Sequence, residues 1–272
     1  MADPAKWSGH RRWSARIVFR RCGNALAYAL AEFPCLAMAP TLERNWRSTY
    51  DSRRSYHAAR TRLLKQGVVA EITRDGQIVL ELTPAAEAAL PVWLRPEREW
   101  RRKWSGAWYI VSYDVPELRR VHRDVLRTLL QQHRFGQLHK SMWIGPWDIR
   151  PFFDDLRTAG GIADYAVLLE ARSVMGGVPD EQIVRKAWPW QTIIDAQQTY
   201  FREIGDLVRI WKAAEPTAEE VRAKVRTEAV AYAMAMEKDP LLPRRLWPVG
   251  YGGERVYQLH REFCALASRR MA

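Results

Sequence analysis

The side chains best equipped for chemistry in this sequence are the basic ones near its beginning. Within the first 66 residues Lys and Arg number 13 and Asp and Glu number four, in a 272-residue chain whose formal net charge is +12. Guanidinium and ammonium groups pair with phosphates, and a guanidinium can also donate two hydrogen bonds to a guanine edge. The cluster therefore predicts contact with a polyanion, above all a nucleic acid.

The densest part of this cluster is a helix-compatible stretch that begins after Ser52. Ser52 is suited to cap a helix N-terminus, and Gly67 is suited to end that helix with a positive φ. Tyr56, Ala59 and Leu63 recur at helical spacing, so they can face a core while basic side chains project outward. The residues predicted to contact DNA from this helix are Arg53, Arg54, His57, Arg60, Arg62 and Lys65.

Two β-prone runs follow the helix and flank an Asp-Gly pair that ends at Gly76. Such a pair predicts a tight hairpin, because both turn positions need a positive φ. Ile78, Leu80 and Leu82 alternate with other residues and are predicted to face inward. Arg74 would stand at the hairpin tip and contact a minor groove or the DNA backbone.

A basic helix followed by a hairpin is typical of a winged helix-turn-helix, which reads duplex DNA. We therefore predict a winged helix-turn-helix domain over residues 1–95. Its other helices would lie over residues 23–33 and 41–50.

Over residues 104–185 the sequence pattern alternates between strands and helices and predicts a ferredoxin-like α+β domain. Clear strands are expected at 108–113, within 138–145 and at 165–171. The fold requires a fourth strand, which we place within 134–145 with a break near Lys140. The intervening helices would use apolar faces, formed in the first by Leu118, Val121, Val125 and Leu129 and in the second by Phe152, Phe153 and Leu156.

Residues 186–272 predict a helical C-terminal domain. An aromatic stripe from Trp188 to Trp211 keeps helical spacing and suits a core or a dimer interface. Thr217 and Glu220 form a capping box at the start of the next helix. The fold class expected is therefore multidomain α+β.

Other classes of site find little support in the residues. Cys22, Cys35 and Cys264 are odd in number and far apart, which favours neither a disulfide framework nor a zinc site and suits a reducing cytoplasm. The most apolar window contains Glu32 and two prolines, so we expect no membrane span. No signal peptide, metal or cofactor is expected.

Three stretches together resemble the phenylacetate-catabolism repressors, the PaaX family. They are Arg62-Leu-Leu-Lys-Gln-Gly-Val-Val69 with the hairpin after it, Trp108-Tyr-Ile-Val-Ser-Tyr-Asp-Val-Pro-Glu117 with Ser141-Met-Trp-Ile-Gly-Pro146, and Asp239-Pro-Leu-Leu-Pro243 with Trp247. The chain departs from that family at Arg60, where a core-facing leucine is usual, and in the wing, whose Arg-rich motif is reduced to Arg74.

The resemblance implies a cytoplasmic, homodimeric repressor that binds a double-stranded DNA operator and is released by an acyl-coenzyme A effector. It also implies a central domain related to the small ferredoxin-fold subunit of the CRISPR adaptation complex. The effector-binding residues stay unknown, because the sequence does not choose among the nearby cations Arg185, Lys186, Arg202 and Arg209.

Asp114 is the one candidate for catalysis, since it ends the first strand of a fold whose relatives include metal-dependent nucleases. A metal held there could activate water for phosphodiester cleavage. One carboxylate is a poor Mg²⁺ site, and Glu117 is its only close helper. We therefore expect Asp114 to accept hydrogen bonds from the following turn, and the chain not to be an enzyme. A metal-dependent nuclease is the alternative.

Overall fold

A computed structural model describes residues 24–32, 52–74, 76–153, 165–172 and 177–271. These residues fall into two compact units. The central unit comprises residues 95–195 and 238–251, and the terminal unit comprises the described residues before 95 together with 196–237 and 252–271. The three domains predicted along the chain, 1–95, 104–185 and 186–272, stay a prediction.

Helices and strands are mixed along the chain. The helices are α1 (Asn24–Glu32), α2 (Arg53–Lys65), α3 (Pro84–Ala88), α4 (Glu97–Arg101), α5 (Arg120–Gln132), α6 (Asp180–Ala187), α7 (Trp190–Ala213), α8 (Ala218–Met236) and α9 (Gly253–Met271). The strands are β1 (Val69–Arg74), β2 (Gln77–Leu82), β3 (Trp108–Tyr113), β4 (Gly136–His139), β5 (Met142–Gly145) and β6 (Ala166–Ala171). No helix within the described ranges has the length and apolar character needed to cross a bilayer.

The central unit is built on an antiparallel sheet with the strand order β4-β5-β3-β6. Helix α5 connects β3 to β4, and residues 150–153, between β5 and β6, are also helical. This order of elements is that of a ferredoxin-like fold. The predicted fourth strand is confirmed, since the chain turns at Lys140 and Ser141 between β4 and β5.

The two faces of this sheet bury different cores because successive strand residues point to opposite sides. Val111 packs in one core with Leu126, Leu130 and Trp143. The other core contains Trp108, which packs with residues of α6 and with Trp188 and Trp190 that come after α6.

The apolar face predicted for α5 is only partly right, since Leu129 packs against the core that contains Val111. Leu118 is 100% exposed and Val121 is 60% exposed, whereas Leu126 and Leu130 are fully buried. Helix α5 is apolar on two sides, so spacing alone could not tell which side meets the sheet. Of the second predicted helix, Phe153 is buried as expected; Leu156 lies outside the described residues.

The C-terminal helices agree more closely with the prediction from the sequence. The aromatic stripe of α7 is buried within the chain, including Tyr200 and Trp211. The capping box of α8 is confirmed, because the Glu220 amide donates to Thr217 Oγ1 at 3.2 Å and the Thr217 amide donates to Glu220 Oε2 at 2.7 Å. The Asp239–Pro243 break is a buried segment without helix.

A buried ionic network joins α1, α7, α8 and α9 inside the terminal unit. His260 Nδ1 lies 2.8 Å from Glu228 Oε1, and His260 Nε2 lies 3.2 Å from Glu32 Oε2. Tyr200 and Tyr28 donate their hydroxyls to the Glu228 carboxylate at 2.6 and 3.2 Å. With a carboxylate at each ring nitrogen, His260 is held as an imidazolium that donates to both.

The pKa of His260 follows from this arrangement. Burial by itself lowers the pKa, because it penalises the charged form. The negative charge of Glu228 outweighs burial and raises the pKa of His260 well above its usual value. The charged imidazole stabilises the fold while it stays protonated.

We predict that His260→Gln lowers the free energy of unfolding by about 3–5 kcal/mol, since it leaves two buried carboxylates without their cation. Because the folded pKa is raised, the contribution of His260 is complete below its unfolded pKa of about 6.5 and is lost as pH rises through the folded pKa. Urea unfolding at increasing pH should show the gap between wild type and variant narrowing. His139→Gln, at an exposed position, is the control, and a gap that does not change with pH would contradict the assignment.

Candidate nucleic-acid interface

Helix α2 has well-defined ends. The Ser55 amide donates to the Ser52 side chain at 3.1 Å, so Ser52 is the predicted N-cap. At the other end Gly67 adopts a φ of 66°, its amide donates to the Leu64 carbonyl, and the Val68 amide donates to the Leu63 carbonyl. These two bonds form a Schellman motif. Both ends confirm the prediction.

The inner face of α2 is apolar, as the spacing predicted. Tyr56, Ala59 and Leu63 are each no more than 3% exposed. Helix α2 packs against α1 and β1. This packing fixes the rotation of α2 about its axis and so determines which side chains face the solvent.

The opposite face of α2 consists of four exposed residues at helical spacing, Arg54, Ala58, Thr61 and Lys65. We call these four residues the reading face. Arg54 and Lys65 are among the residues predicted to contact DNA, whereas Ala58 and Thr61 were not predicted. The signal for them was their spacing of three or four residues from the named cations.

The other predicted cations of α2 surround the reading face. Arg53 and Arg62 are exposed, and His57 is half-buried with its ring edge-on to Tyr56, 5.2 Å between centroids. Within the described ranges, no carboxylate pairs with Arg54, Arg62 or Lys65. This side of α2 therefore carries positive charge that the neighbouring described residues do not neutralise.

Arg60 is placed differently from the other cations. Its guanidinium forms a salt bridge with Glu71 of β1, and both side chains are about one-third exposed. The pair links α2 to the hairpin.

The hairpin pairs Val69 with Leu82 at its base and Arg74 with Gln77 at its tip. Gly76 has a φ of 74°, as the turn requires; the neighbouring Asp75 lies outside the described residues. The base is closed by the Thr83 hydroxyl, which donates to the Gly67 carbonyl at 2.8 Å.

The predicted alternation along β2 is only partly right. Ile78 is 52% exposed, whereas Val79 and Leu80 are both buried. Ile78 lies two residues from Gly76, near the tip of the hairpin. Position 74 is at the tip, as expected. The helix predicted over 41–50 lies outside the described residues.

Asp114 is exposed at the end of β3, and its amide donates to the Tyr165 carbonyl at 2.8 Å. Its predicted helper Glu117 is paired with Arg123 at 2.8 Å. The one cluster of three potential metal ligands in the described part of the chain is Glu32, His260 and Cys264. Asp114 is therefore not in such a cluster.

The four cations considered for an effector are divided between the two units. Arg185 and Lys186 are exposed on α6 in the central unit. Arg202 and Arg209 are exposed on the part of α7 in the terminal unit, where Arg209 pairs with Asp206 at 3.0 Å. The effector-binding residues stay unassigned.

Part of the chain matches a known protein family. Residues 101–184 match the family model described as the PaaX protein central Cas2-like domain. Over these residues the chain resembles the PaaX-like family. The match coincides with the ferredoxin-like sheet of the central unit, so the expected kinship of that domain is confirmed.

The PaaX-like chain also resembles a solved structure over most of its length. The uncharacterized protein Rv0674 from Mycobacterium tuberculosis aligns with 91% of this chain and 97% of its own length, at 20% sequence identity and a TM-score of 0.62. At that identity the likeness concerns the fold alone. A search of curated proteins finds no significant match.

We predict that Arg60 and Glu71 of the PaaX-like chain are energetically coupled. In a double-mutant cycle of Arg60→Ala and Glu71→Ala, the coupling energy should be about 0.2–1 kcal/mol, the usual range for a partly exposed pair. Chemical unfolding of the four proteins measures it. Arg62→Ala with Glu71→Ala is the matched control and should be additive; additivity in the first cycle would show that the pair does not hold the hairpin.

Proposed function

We propose that the PaaX-like chain is a transcriptional repressor whose reading face enters the major groove of duplex DNA. The observation that carries this proposal is the division of α2 into two faces. One face is anchored in the core, and the other presents Arg54 and Lys65 without neutralising carboxylates among the described residues. An α-helix fits the width of the major groove.

Each residue of the reading face has a role that fits its chemistry. Arg54 can donate two hydrogen bonds to a guanine edge. Ala58 and Thr61 are small enough to let the helix approach the bases, and their methyl groups suit contact with a thymine methyl group. Lys65 and Arg62, near the helix end, suit phosphates.

The hairpin after α2 acts as the wing in this proposal, with Arg74 directed to the minor groove or the backbone. Residues 1–95 form the winged helix-turn-helix domain, and residues 186–272 the helical domain. Arg53 and His57 lie beside the reading face and complete the contact with the flanking bases or phosphates.

Regulation is proposed to follow from symmetry. A homodimer places two reading faces on half-sites separated by about 10 bp or a multiple of that distance. An acyl-coenzyme A effector that favours another dimer geometry would break this match and release the operator in the cytoplasm. The proposed role is binding, not catalysis.

We predict that Arg54→Ala weakens binding to the preferred DNA site by about 1–3 kcal/mol, because it removes a base contact. The site is first selected from a random duplex library, and affinity is then measured by fluorescence anisotropy on selected and scrambled duplexes. Lys65→Ala should weaken both equally, as expected for a phosphate contact.

The matched control for this comparison is Arg209→Ala, an exposed cation outside α2 that should leave both affinities unchanged. Failure of the library to yield any preferred site would contradict sequence-specific recognition. Equal losses on both duplexes for Arg54→Ala would assign Arg54 to the backbone.

The alternative function, a metal-dependent nuclease, takes support from the Cas2-like fold and from the exposed position of Asp114 at the end of β3. We predict that the protein binds labelled duplexes in Mg²⁺ or Mn²⁺ without cleaving them. Gel analysis of the DNA checks this. Cleavage that disappears in Asp114→Ala would establish the nuclease in place of the repressor.

A further inference from the structure

The central unit carries a second basic surface, far in sequence from α2. We define the central basic surface as Arg98, Arg101, Arg102, Lys103, Arg244 and Arg245, all of which are exposed. They come from two short segments of the central unit, 98–103 and 244–245. These two segments contain one acid, Glu99, whose carboxylate lies 3.7 Å from the Arg102 guanidinium.

Tryptophans bring these two segments together. Trp100 packs edge-on against Trp247 with 5.9 Å between ring centroids, and its indole N–H donates to the Tyr251 hydroxyl at 3.0 Å. Trp104 is buried in the same core as Leu246. These contacts place the two segments beside each other.

Three guanidinium groups of this surface lie over tryptophan rings. Arg102 is 3.9 Å from the centroid of Trp147, and Arg245 is 5.6 Å from that of Trp104. Arg244 lies 5.7 Å from the ring of Trp247. Stacking restrains each guanidinium. Such cations lose little conformational freedom when they bind phosphate.

The same stacking decides which nucleic-acid chemistry the surface fits. Single-stranded nucleic acids bind by stacking their bases on open aromatic rings. In this surface an arginine covers one face of each of the three tryptophan rings. The surface therefore suits phosphate better than stacked bases. Among the described residues, Arg98, Arg101, Lys103 and Arg245 have no carboxylate partner.

We propose that the central basic surface binds the phosphate backbone of duplex DNA, independently of sequence. This inference rests on the proposed DNA-binding function and extends it to the central unit. After residue 66 Lys and Arg number 30 and Asp and Glu number 27. This near balance conceals the surface in the sequence, because acids located elsewhere offset its cations.

The test is the salt dependence of binding to a random-sequence duplex. Each phosphate contact contributes roughly −0.9 to the slope of log K against log salt concentration. The triple variant Arg102→Gln, Lys103→Gln, Arg245→Gln should make the slope less negative by up to about 2.7 and weaken binding on all sequences alike. The charge-conserving variant Arg102→Lys, Lys103→Arg, Arg245→Lys should keep the slope.

Arg127→Gln, at an exposed position of α5 in the same unit, is the matched control and should not change the slope. A triple Gln variant that keeps the wild-type circular dichroism spectrum and the wild-type slope would overturn the proposal. Coenzyme A is titrated as a small phosphate-bearing probe. Loss of its binding in the triple variant with the DNA slope unchanged would also overturn it.

The outcome separates this inference from the function on which it rests. If wild-type protein binds no duplex, the proposed function fails and takes this inference with it. If Arg54→Gln with Lys65→Gln reduces the slope and the triple variant does not, the repressor proposal stands and only the central basic surface is refuted.

Discussion

The packing of Tyr56, Ala59 and Leu63 against the core of the terminal unit is the contact on which the functional account depends. These side chains fix the rotation of α2, and the rotation puts Arg54, Ala58, Thr61 and Lys65 on the solvent side. A helix turned by a quarter of a revolution would bury a cation and present an apolar surface. The proposed recognition of DNA therefore depends on burial of three apolar side chains.

Helix α1 helps to hold α2 in this orientation. Helix α1 packs against α2, β2 and α8 in the terminal unit. Its last residue, Glu32, is held by His260 of α9, which also binds Glu228 of α8. Because removing His260 would leave two buried carboxylates without their cation, the network constrains α1 strongly. The helix that bears the cations thus rests on one that is fixed by ionic bonds.

Local sequence signals predicted the features that local physics controls. Ser52, Gly67 and the capping box at Thr217 were predictable because a cap involves residues three or four apart. The break near Lys140 followed from the number of strands the fold requires. The exposed face of α5 and the exposure of Ile78 were not predicted correctly. Both depend on which other elements pack beside them, and residue spacing does not show that.

The His260 network and the central basic surface were not predictable for the same reason. Glu32 and His260 are 228 residues apart, and neither has a neighbour in sequence that marks it as part of an ionic site. Arg102 and Arg245 are likewise brought onto one surface by contacts among tryptophans from separate segments. Of the α2 cations, the pairing of Arg60 with Glu71 became visible only when β1 was placed beside the helix.

The most direct test of the central claim places a DNA-cleaving iron chelate on the reading face. The chelate is attached at Ala58→Cys, in a protein whose Cys22 and Cys35 are serine, and the complex with DNA is activated to release hydroxyl radicals. We predict strong cleavage of bound duplex close to the selected site, and weak cleavage from the same chelate at Arg127→Cys. Equally weak cleavage from both positions, with DNA binding retained, would show that α2 does not enter the groove.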